Sequence, residues 1–290
     1  MFGIRKHKES PIPFDLSVNR ETIFSDYKKK YRKGIESRQR SMLKMLPFLN
    51  TFLVECEEIF LVTTACSPVS FIERFWTGLN VFDLKRSILV FTDRRIFHVP
   101  VTGRYSYKNS IAHFYYSDCK SLRVKGLTLI AVYKNGVKER FHHIAVREEK
   151  KLKALLKFLP LEASCGRTKG RVHLCPRCTE ELEEGRFICG NCGLKFKDKA
   201  TARKISILYP GGGYFYTGHP CLGFGDIGVE IILLGFFVLS FIFNRKGVSC
   251  CVWGMYIFPM ALLFEKMLTV YHSNILVKEY IPKRKDMGAI

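Results

Sequence analysis

The chain has 290 residues, of which 47% are hydrophobic, and a formal net charge of +21. This length has room for one globular domain and smaller modules, and the charge calls for an anionic partner, either nucleic acid or the inner face of a membrane. The 11 cysteines show no disulfide framework, and the first residues are too polar for a secretory signal, so we expect a reducing compartment. The sequence has no Gly-x-Ser-x-Gly, P-loop or His-Glu-x-x-His pattern, which argues against an enzyme.

Residues 1–50 are predicted to form a basic arm followed by a helix. Asn19 is a candidate N-cap, and apolar residues recur at helical steps from Ile23 until Pro47. The other faces of this helix are basic, and the densest charge is the run Lys28, Lys29 and Lys30. We expect this run to contact anionic lipid. The alternative is a charged face that is simply solvated, with the apolar stripe packed on its own domain.

Residues 51–160 change to short β segments that are closed by a helix. Seven segments are predicted as strands, at residues 59–64, 87–91, 96–101, 111–116, 120–124, 127–133 and 138–144. A helix with a stripe of leucines follows and ends at Pro160. Seven strands and one closing helix are the plan of a pleckstrin-homology-like barrel. His142 and His143 are adjacent on a strand and point to opposite faces, so we do not expect them to share a metal ion.

One run within this domain, Ile88-Leu-Val-Phe-Thr-Asp-Arg-Arg-Ile-Phe-His-Val99, resembles the strand-turn-strand of GRAM and bacterial pleckstrin-homology-like domains. The resemblance implies a domain that binds a lipid headgroup or a peptide and has no catalytic role. Candidate anion contacts are the basic residues Lys85, Arg86, Arg94, Arg95, Lys120, Arg123 and Lys125. The alternative for these residues is a set of scattered, solvated surface cations.

A linker at residues 161–172 leads to two Cys-x-x-Cys pairs, formed by Cys175, Cys178, Cys189 and Cys192. This is the spacing in which two tight turns present four thiolates to one Zn²⁺ ion. Residues 173–197 resemble a short zinc-ribbon family that runs Cys-Pro-x-Cys, acidic connector, Phe-Cys-x-x-Cys-Gly, although Thr179 stands where a glycine is usual. We predict a structural zinc site with no redox or catalytic role. The acidic connector would repel phosphates and favours a protein partner.

The remaining third of the chain is predicted to enter a membrane. Glycine and proline keep residues 198–222, a basic bridge and a Gly-rich segment, from forming one continuous helix. Residues 223–243 can cross a hydrocarbon core of about 30 Å, and residues 248–264 form a second, shorter apolar run. We therefore predict a two-helix membrane hairpin over residues 223–271, followed by a basic tail at residues 272–290.

The motifs Pro210-Gly-Gly-Gly213 and Phe215-Tyr-Thr-Gly218 resemble those of the TM2 family of small membrane modules. Asp226 and Glu230 share one face of the first predicted span. We expect these carboxylates at headgroup level, and the alternative is a proton or ion path. An even number of crossings puts both ends of the chain on one side, and the basic excess of both ends predicts that this side is the cytoplasm.

From these patterns we predict an α+β protein that combines a PH-like β-barrel with a C-terminal capping helix, a small zinc ribbon with four cysteine ligands and a helical transmembrane hairpin. We expect a non-enzymatic, membrane-anchored adaptor or scaffold whose cytoplasmic domain and ribbon bind a protein or an anionic lipid surface. Its membrane helices could also form homo-oligomers. The alternative is a membrane-tethered zinc-ribbon protein that binds nucleic acid, and a third class, a small-ion or substrate carrier, would need polar residues at mid-membrane.

Overall fold

The computed structural model describes residues 16–70, 73–74, 82, 84–159, 169–246 and 253–283. The chain divides into two compact units, Met1–Arg186 with Gly190–Cys192 and Phe187–Cys189 with Gly193–Ile290. Parts of five predicted segments lie outside the described residues. They are the N-terminal arm at residues 1–15, the β domain at residues 71–72, 75–81, 83 and 160, the linker at residues 161–168, the loop at residues 247–252 and the end of the tail at residues 284–290.

The first unit begins with two short helices where one long helix was predicted. Helix α1 (Arg20–Ile23) and helix α2 (Lys33–Leu43) flank a turn that carries the predicted lysine run. The Asp26 carboxylate accepts hydrogen bonds from the backbone N–H groups of Lys28 and Lys30, at 2.8 and 3.1 Å. An aspartate that bonds the local backbone in this way competes with the helical hydrogen-bond ladder. The prediction of a continuous helix is therefore wrong, and the lysines lie on a turn.

Seven strands follow, and each overlaps a predicted strand. They are β1 (Ile59–Cys66), β2 (Arg86–Thr92), β3 (Arg95–Pro100), β4 (Ile111–Tyr115), β5 (Cys119–Lys125), β6 (Thr128–Tyr133) and β7 (Lys138–Phe141). Strands β1 to β4 pair in sequence as antiparallel neighbours, and β5 to β7 form a second antiparallel sheet. Alternating or continuous apolar runs bounded by turn residues are the pattern that made these strands predictable.

The predicted closed barrel is not formed by the described residues. The edge of β4 pairs instead with β8 (Val172–Leu174), which pairs in turn with β9 (Glu181–Leu182), so the first sheet has six strands. An isolated bridge between Cys66 and His142 joins the two sheets at one corner. The described fold is thus mixed α+β with two antiparallel sheets.

Helix α3 (Val146–Leu155) follows β7, where a closing helix was predicted. Its Leu152 is fully buried in a core to which both sheets and α3 contribute. Glu148 forms an ion pair with Arg38 of α2 at 2.8 Å, and the buried Lys151 ammonium donates to the Ile23 carbonyl at 2.8 Å. Burial lowers the pKa of Lys151 to about 8. These two polar contacts fix α3 against the N-terminal helices.

A buried ion pair joins β3 to the segment before β1. Arg95 is 5% exposed and Glu57 is fully buried, and two guanidinium nitrogens of Arg95 contact the two carboxylate oxygens of Glu57, at 3.0 and 2.8 Å. Arg95 also donates to the Phe52 carbonyl at 2.9 Å, and the Thr92 hydroxyl lies 2.7 Å from Glu57 Oε1. A buried pair is tolerated when its remaining donors and acceptors are satisfied in this way.

The second unit contains four α-helices in the part of the chain described. They are α4 (Lys199–Leu208), α5 (Gly212–Thr217), α6 (Pro220–Arg245) and α7 (Gly254–Leu276). Helices α6 and α7 run antiparallel, because Asp226 faces Thr269 at one end and Phe236 stacks on Phe258, at 5.4 Å between ring centroids, further along.

The Gly-rich segment is a close-packed break between α4 and α5. Gly211 has a positive φ of 64°, and a Cβ there would lie 2.3 Å from the Gly223 carbonyl oxygen. The Gly211 N–H donates to Asp226 at 3.1 Å. Only a residue without a side chain fits both the backbone conformation and the approach to α6. The predicted interruption of the helix is therefore confirmed.

Helix α6 is long and apolar enough to cross a membrane, and it is the one helix among the described residues that meets this test. It has 26 residues, and only 6% of its most apolar stretch is buried. Helix α7 carries Glu265 and Lys266 within its length. The Lys266 ammonium binds Glu230 of α6 at 2.7 Å, so this charge pairs within the second unit.

The segment after α7 returns to the second half of the ribbon. The Tyr280 ring stacks on Phe187 at 5.4 Å and meets Phe196 edge-on at 5.9 Å. The backbone N–H of Lys283 donates to the Lys195 carbonyl at 2.9 Å, and its ammonium binds Asp198, the N-cap of α4, at 2.9 Å. The first part of the predicted tail is thus packed within the second unit.

Replacing Arg95 with methionine should destabilise the first unit by about 3–5 kcal/mol, because Glu57 would stay buried without its partner. The neighbouring Arg94 has 46% of its side chain exposed, so Arg94→Met should change stability by less than about 0.5 kcal/mol. The measurement is urea unfolding of the full-length protein, followed by hydrogen exchange of the β2 and β3 amides. Equal effects of the two substitutions would contradict a buried ion pair.

The same pair predicts acid sensitivity. Burial alone would raise the pKa of Glu57, but hydrogen bonds from Arg95, the Val54 N–H and Thr92 outweigh it and hold the pKa below its ordinary value. The pair therefore stabilises the fold above the ordinary glutamate pKa of about 4.3, and this contribution is lost as pH falls through the lower folded pKa. Unfolding curves between pH 5 and pH 2 should show this loss in the wild type and a flatter dependence in Glu57→Gln.

Candidate metal centre

The first cysteine pair lies at the end of the β8–β9 hairpin. Cys175 directly follows β8, and its N–H donates to the Glu180 carbonyl at 2.8 Å. The Thr179 N–H donates to the Cys175 carbonyl at 2.9 Å and closes the turn around the pair. Thr179 has a φ of 61°, in the left-handed region. Glycine adopts this φ without strain, which is the physical reason that the ribbon pattern has glycine at this position.

The second pair repeats this turn. The Cys189 N–H donates to the Leu194 carbonyl at 2.9 Å, and the Gly193 N–H donates to the Cys189 carbonyl at 3.1 Å. Gly193 has a φ of 71° and is the counterpart of Thr179. A bridge between Ile188 and Lys195 closes the hairpin. The two pairs therefore adopt the same type of backbone turn.

The turns bring together the four cysteines that the sequence singled out. The Sγ atoms all lie within 4.8 Å of one another, and none of the four residues, Cys175, Cys178, Cys189 and Cys192, is in a disulfide. The Cys175 and Cys192 sulfurs are 3.5 Å apart, far longer than a disulfide bond of about 2.05 Å. Zinc–sulfur bonds of about 2.3 Å give a tetrahedron with edges of about 3.8 Å. The four thiols can therefore hold one metal ion.

The surroundings of Cys175 also fit a bound cation. Burial raises the pKa of its thiol, while the backbone N–H groups of Cys178 and Arg177 act in the opposite direction. Backbone N–H donors aimed at a sulfur stabilise a thiolate, and the positive charge of a metal ion offsets the solvation that a buried thiolate loses. The donor set is thus chemically suited to a thiophilic cation.

A second group of candidate metal ligands lies between α6 and α7. Carboxylate oxygens of Asp226, Glu230 and Glu265 come within 4.8 Å of one another. Glu230 is already paired with Lys266, and the Thr269 hydroxyl lies 3.0 Å from Asp226 and 2.7 Å from Glu265. These contacts connect α6 to α7 and, through the Gly211 N–H, to the Gly-rich segment. The cluster therefore holds α6, α7 and the Gly-rich segment together.

The basic residues proposed to bind anions do not come together at one place. Lys28, Lys29 and Lys30 are exposed on their turn, and Lys120, Arg123 and Lys125 are exposed on β5. Lys85 is 7% exposed and pairs with Glu73 at 2.5 Å. Arg95 is engaged by Glu57, Arg94 donates to the Glu55 carbonyl and Arg86 donates to the Gly103 carbonyl. Lys85 and Arg95 thus hold the fold together and offer no charge to a headgroup.

Sequence reasoning missed a buried serine–histidine contact. Ser67 Oγ lies 2.8 Å from His98 Nε2, and Arg171 Nη1 lies 3.3 Å from His98 Nδ1. Because arginine can only donate, Nδ1 is the acceptor and Nε2 carries the proton. Burial, followed by the charge of Arg171, lowers the pKa of His98 well below its ordinary value. This histidine cannot take a proton from Ser67, so the contact is structural.

The two equivalent turns give opposite predictions. Thr179→Gly should stabilise the metal-bound ribbon by about 0.5–1 kcal/mol, because it removes the left-handed strain of a β-branched residue. Gly193→Ala should destabilise it by about 1 kcal/mol, since no atom lies near the new Cβ and the cost is confined to the backbone. The measurement is the chelator concentration that removes the metal from full-length protein. Shifts of the same sign would contradict the equivalence of the turns.

No family model, no curated protein and no solved structure matches this chain. The resemblances to GRAM-like domains, to zinc ribbons and to the TM2 family therefore rest on the motifs quoted above. The geometry of the four cysteines and the exposed surface of α6 are the features of this chain that bear on its function.

Proposed function

We propose that this chain is a non-enzymatic, membrane-anchored adaptor, in which a cytoplasmic PH-like domain and a structural zinc ribbon bind a protein or an anionic lipid surface. One observation carries the membrane part of the proposal. The outward residues of α6 are large and apolar, and Phe224, Ile231, Ile232 and Leu234 are 53–68% exposed. Water disfavours such a continuous surface, whereas lipid hydrocarbon accepts it.

The second span of the proposed anchor is α7. Its outward side chains are also apolar, and Tyr256, Met260, Leu263 and Met267 are 61–70% exposed. Its charged residues face α6, where Lys266 neutralises Glu230, as intramembrane charges must be neutralised. At 1.5 Å per residue, helices of 26 and 23 residues are roughly 39 and 35 Å long, enough for the hydrocarbon core. A hairpin of this kind places both flanking segments on one side.

The distribution of charge indicates that the flanking segments lie in the cytoplasm, because the basic excess is in the large N-terminal unit and the tail. The loop residues Arg245 and Lys246 would then lie on the opposite side, which opposes the positive-inside rule locally. A shallow hairpin that enters one leaflet without crossing is the alternative, and it keeps the loop on the cytoplasmic side.

Zinc is the proposed occupant of the cysteine site. Four sulfur ligands and no open coordination position are typical of a structural zinc site rather than a catalytic one. The connector between the two turns is acidic, and Glu180, Glu183 and Glu184 are exposed. An acidic surface disfavours nucleic acid at the ribbon and is suited to a basic segment of a protein partner.

The membrane anchor predicts a position-specific effect of charge. Ile232→Arg places a cation on the outward face of α6 and should reduce the membrane-integrated fraction, because arginine at a helix centre costs about 2.5–3.5 kcal/mol on insertion. Leu127→Arg, at a residue that is 37% exposed in the first unit, is the matched control and should have no effect. The measurement is the fraction of full-length protein that stays with membranes after alkaline carbonate. A wild-type protein that washes off would overturn the spanning anchor.

The alternative of a tethered nucleic-acid binder makes a different prediction. Such a protein would retain RNA or DNA through purification, whereas the adaptor should show a protein-like ratio of absorbance at 260 and 280 nm, unchanged by nuclease. Aromatic stacking would also be required, so alanine at Tyr105, Tyr107 or Tyr115 should weaken binding. Tyr107 is already stacked on Phe48 at 3.6 Å, which leaves that face occupied.

A further inference from the structure

The turn that carries the lysine run lies beside the end of α3, although more than a hundred residues separate them in sequence. Lys29 Nζ is 5.9 Å from the centroid of the Phe158 ring, and Lys150 Nζ is 5.8 Å from that of the Tyr27 ring. Phe158 is 79% exposed and Tyr27 is 47% exposed. We call the surface formed by Tyr27, Lys28, Lys29, Lys30, Lys150 and Phe158 the basic aromatic patch.

Buried contacts hold this patch in shape. Lys151 binds the Ile23 carbonyl, and Glu148, three residues earlier on the same face of α3, binds Arg38. The Asp26 carboxylate receives two backbone N–H groups of the turn and therefore sets its conformation. The exposed side chains of the patch are thus presented by a fixed backbone, which lowers the entropic cost of binding.

The patch is positively charged because its neighbouring carboxylates are engaged. Asp26 is bonded to the turn itself and to Arg32 at 3.3 Å, and Glu149 is paired with Lys153 at 2.7 Å. Four lysines remain at the surface, and each basic residue near an anionic leaflet contributes roughly a fivefold gain in affinity. Exposed aromatic rings between the lysines add an apolar contact of the kind that settles at a membrane interface.

We infer that the basic aromatic patch binds the surface of an anionic lipid bilayer, with the four lysines at phosphate level and the rings of Tyr27 and Phe158 in the interface. The inference rests on the proposed membrane anchor and specifies the partner of the PH-like domain. A nucleic acid fits the patch less well. Lys28 and Lys150 both lie over the Tyr27 ring, so a base could stack there only by displacing a cation.

The test uses full-length protein reconstituted into vesicles of phosphatidylcholine alone or with phosphatidylserine at about a third of the lipid. Lysine acetylation and hydroxyl-radical footprinting, both read by mass spectrometry, report each patch residue. We expect Lys28, Lys29, Lys30 and Lys150 to react several-fold more slowly in the anionic vesicles, with Phe158 protected as well. High salt should reverse the lysine protection, since exposed charges are screened. Lys120 and Lys125 on β5 are internal controls and should not change.

Two sets of variants separate the patch from a general effect of charge. Replacing Lys28, Lys29 and Lys30 with glutamine should abolish the protection of Phe158 in anionic vesicles. The matched triple Lys120→Gln, Arg123→Gln and Lys125→Gln removes the same charge from β5 and should leave Phe158 protected. Phe158→Ser should weaken the protection of Lys150 in anionic vesicles at low salt, because it removes the apolar part of the contact.

The outcomes distinguish the inference from the anchor on which it rests. Protein that does not incorporate into neutral vesicles would refute the anchor. Protein that incorporates but shows no difference between the two lipids, or that loses protection equally in both triples, would overturn the patch and leave the anchor intact. Protection of the four lysines by added RNA in neutral vesicles, without protection by phosphatidylserine, would assign the patch to nucleic acid and also overturn the inference.

Discussion

Four sulfur atoms within 4.8 Å of one another are the constraint from which the ribbon takes its shape. Thiolates at this distance repel one another unless a cation lies between them, so the arrangement makes physical sense around a metal ion. The first pair of cysteines continues a strand that extends the six-stranded sheet. The second pair belongs to the hairpin on which Tyr280 and Lys283 pack. The first pair is therefore held by strand pairing, and the second pair is held by the packing of the segment after α7.

The net charge of +21 does not say where a partner meets positive charge. Arg95, Lys85 and Lys151 are buried, and each is bonded to a carboxylate or a carbonyl of the fold. Such charges specify how segments pack, and the ion pairs of Arg95 with Glu57 and of Lys85 with Glu73 add nothing to the net charge. Among the exposed cations, the lysines of the turn and Lys150 of α3 are held together at one place. We therefore expect binding to an anionic partner to depend more on where exposed charge is concentrated than on the net charge.

Local patterns were sufficient to predict much of this structure. The seven strands, α3, the break at the Gly-rich segment and the cysteine cluster follow from hydrophobic periodicity, from glycine and proline, and from ligand spacing. The predictions that were wrong have two causes: a side chain competes with the backbone for hydrogen bonds, or residues far apart in sequence pair. Asp26 divides the predicted first helix because its side chain bonds the turn, and β4 pairs with β8 of the ribbon where barrel closure was expected. Contacts such as Lys266 with Glu230, or Lys29 with Phe158, join residues far apart in sequence and leave no local signal.

The most direct test of this account is the metal content and coordination of freshly purified full-length protein. Elemental analysis should find one zinc ion per chain, and X-ray absorption should show four sulfur ligands at about 2.3 Å. Cys56 and Cys221, which are exposed and lie outside the cluster, provide the matched control, since serine at both should leave the metal content unchanged. A chain without metal, a disulfide among the four cysteines, or a coordination shell of nitrogen and oxygen would contradict the central claim.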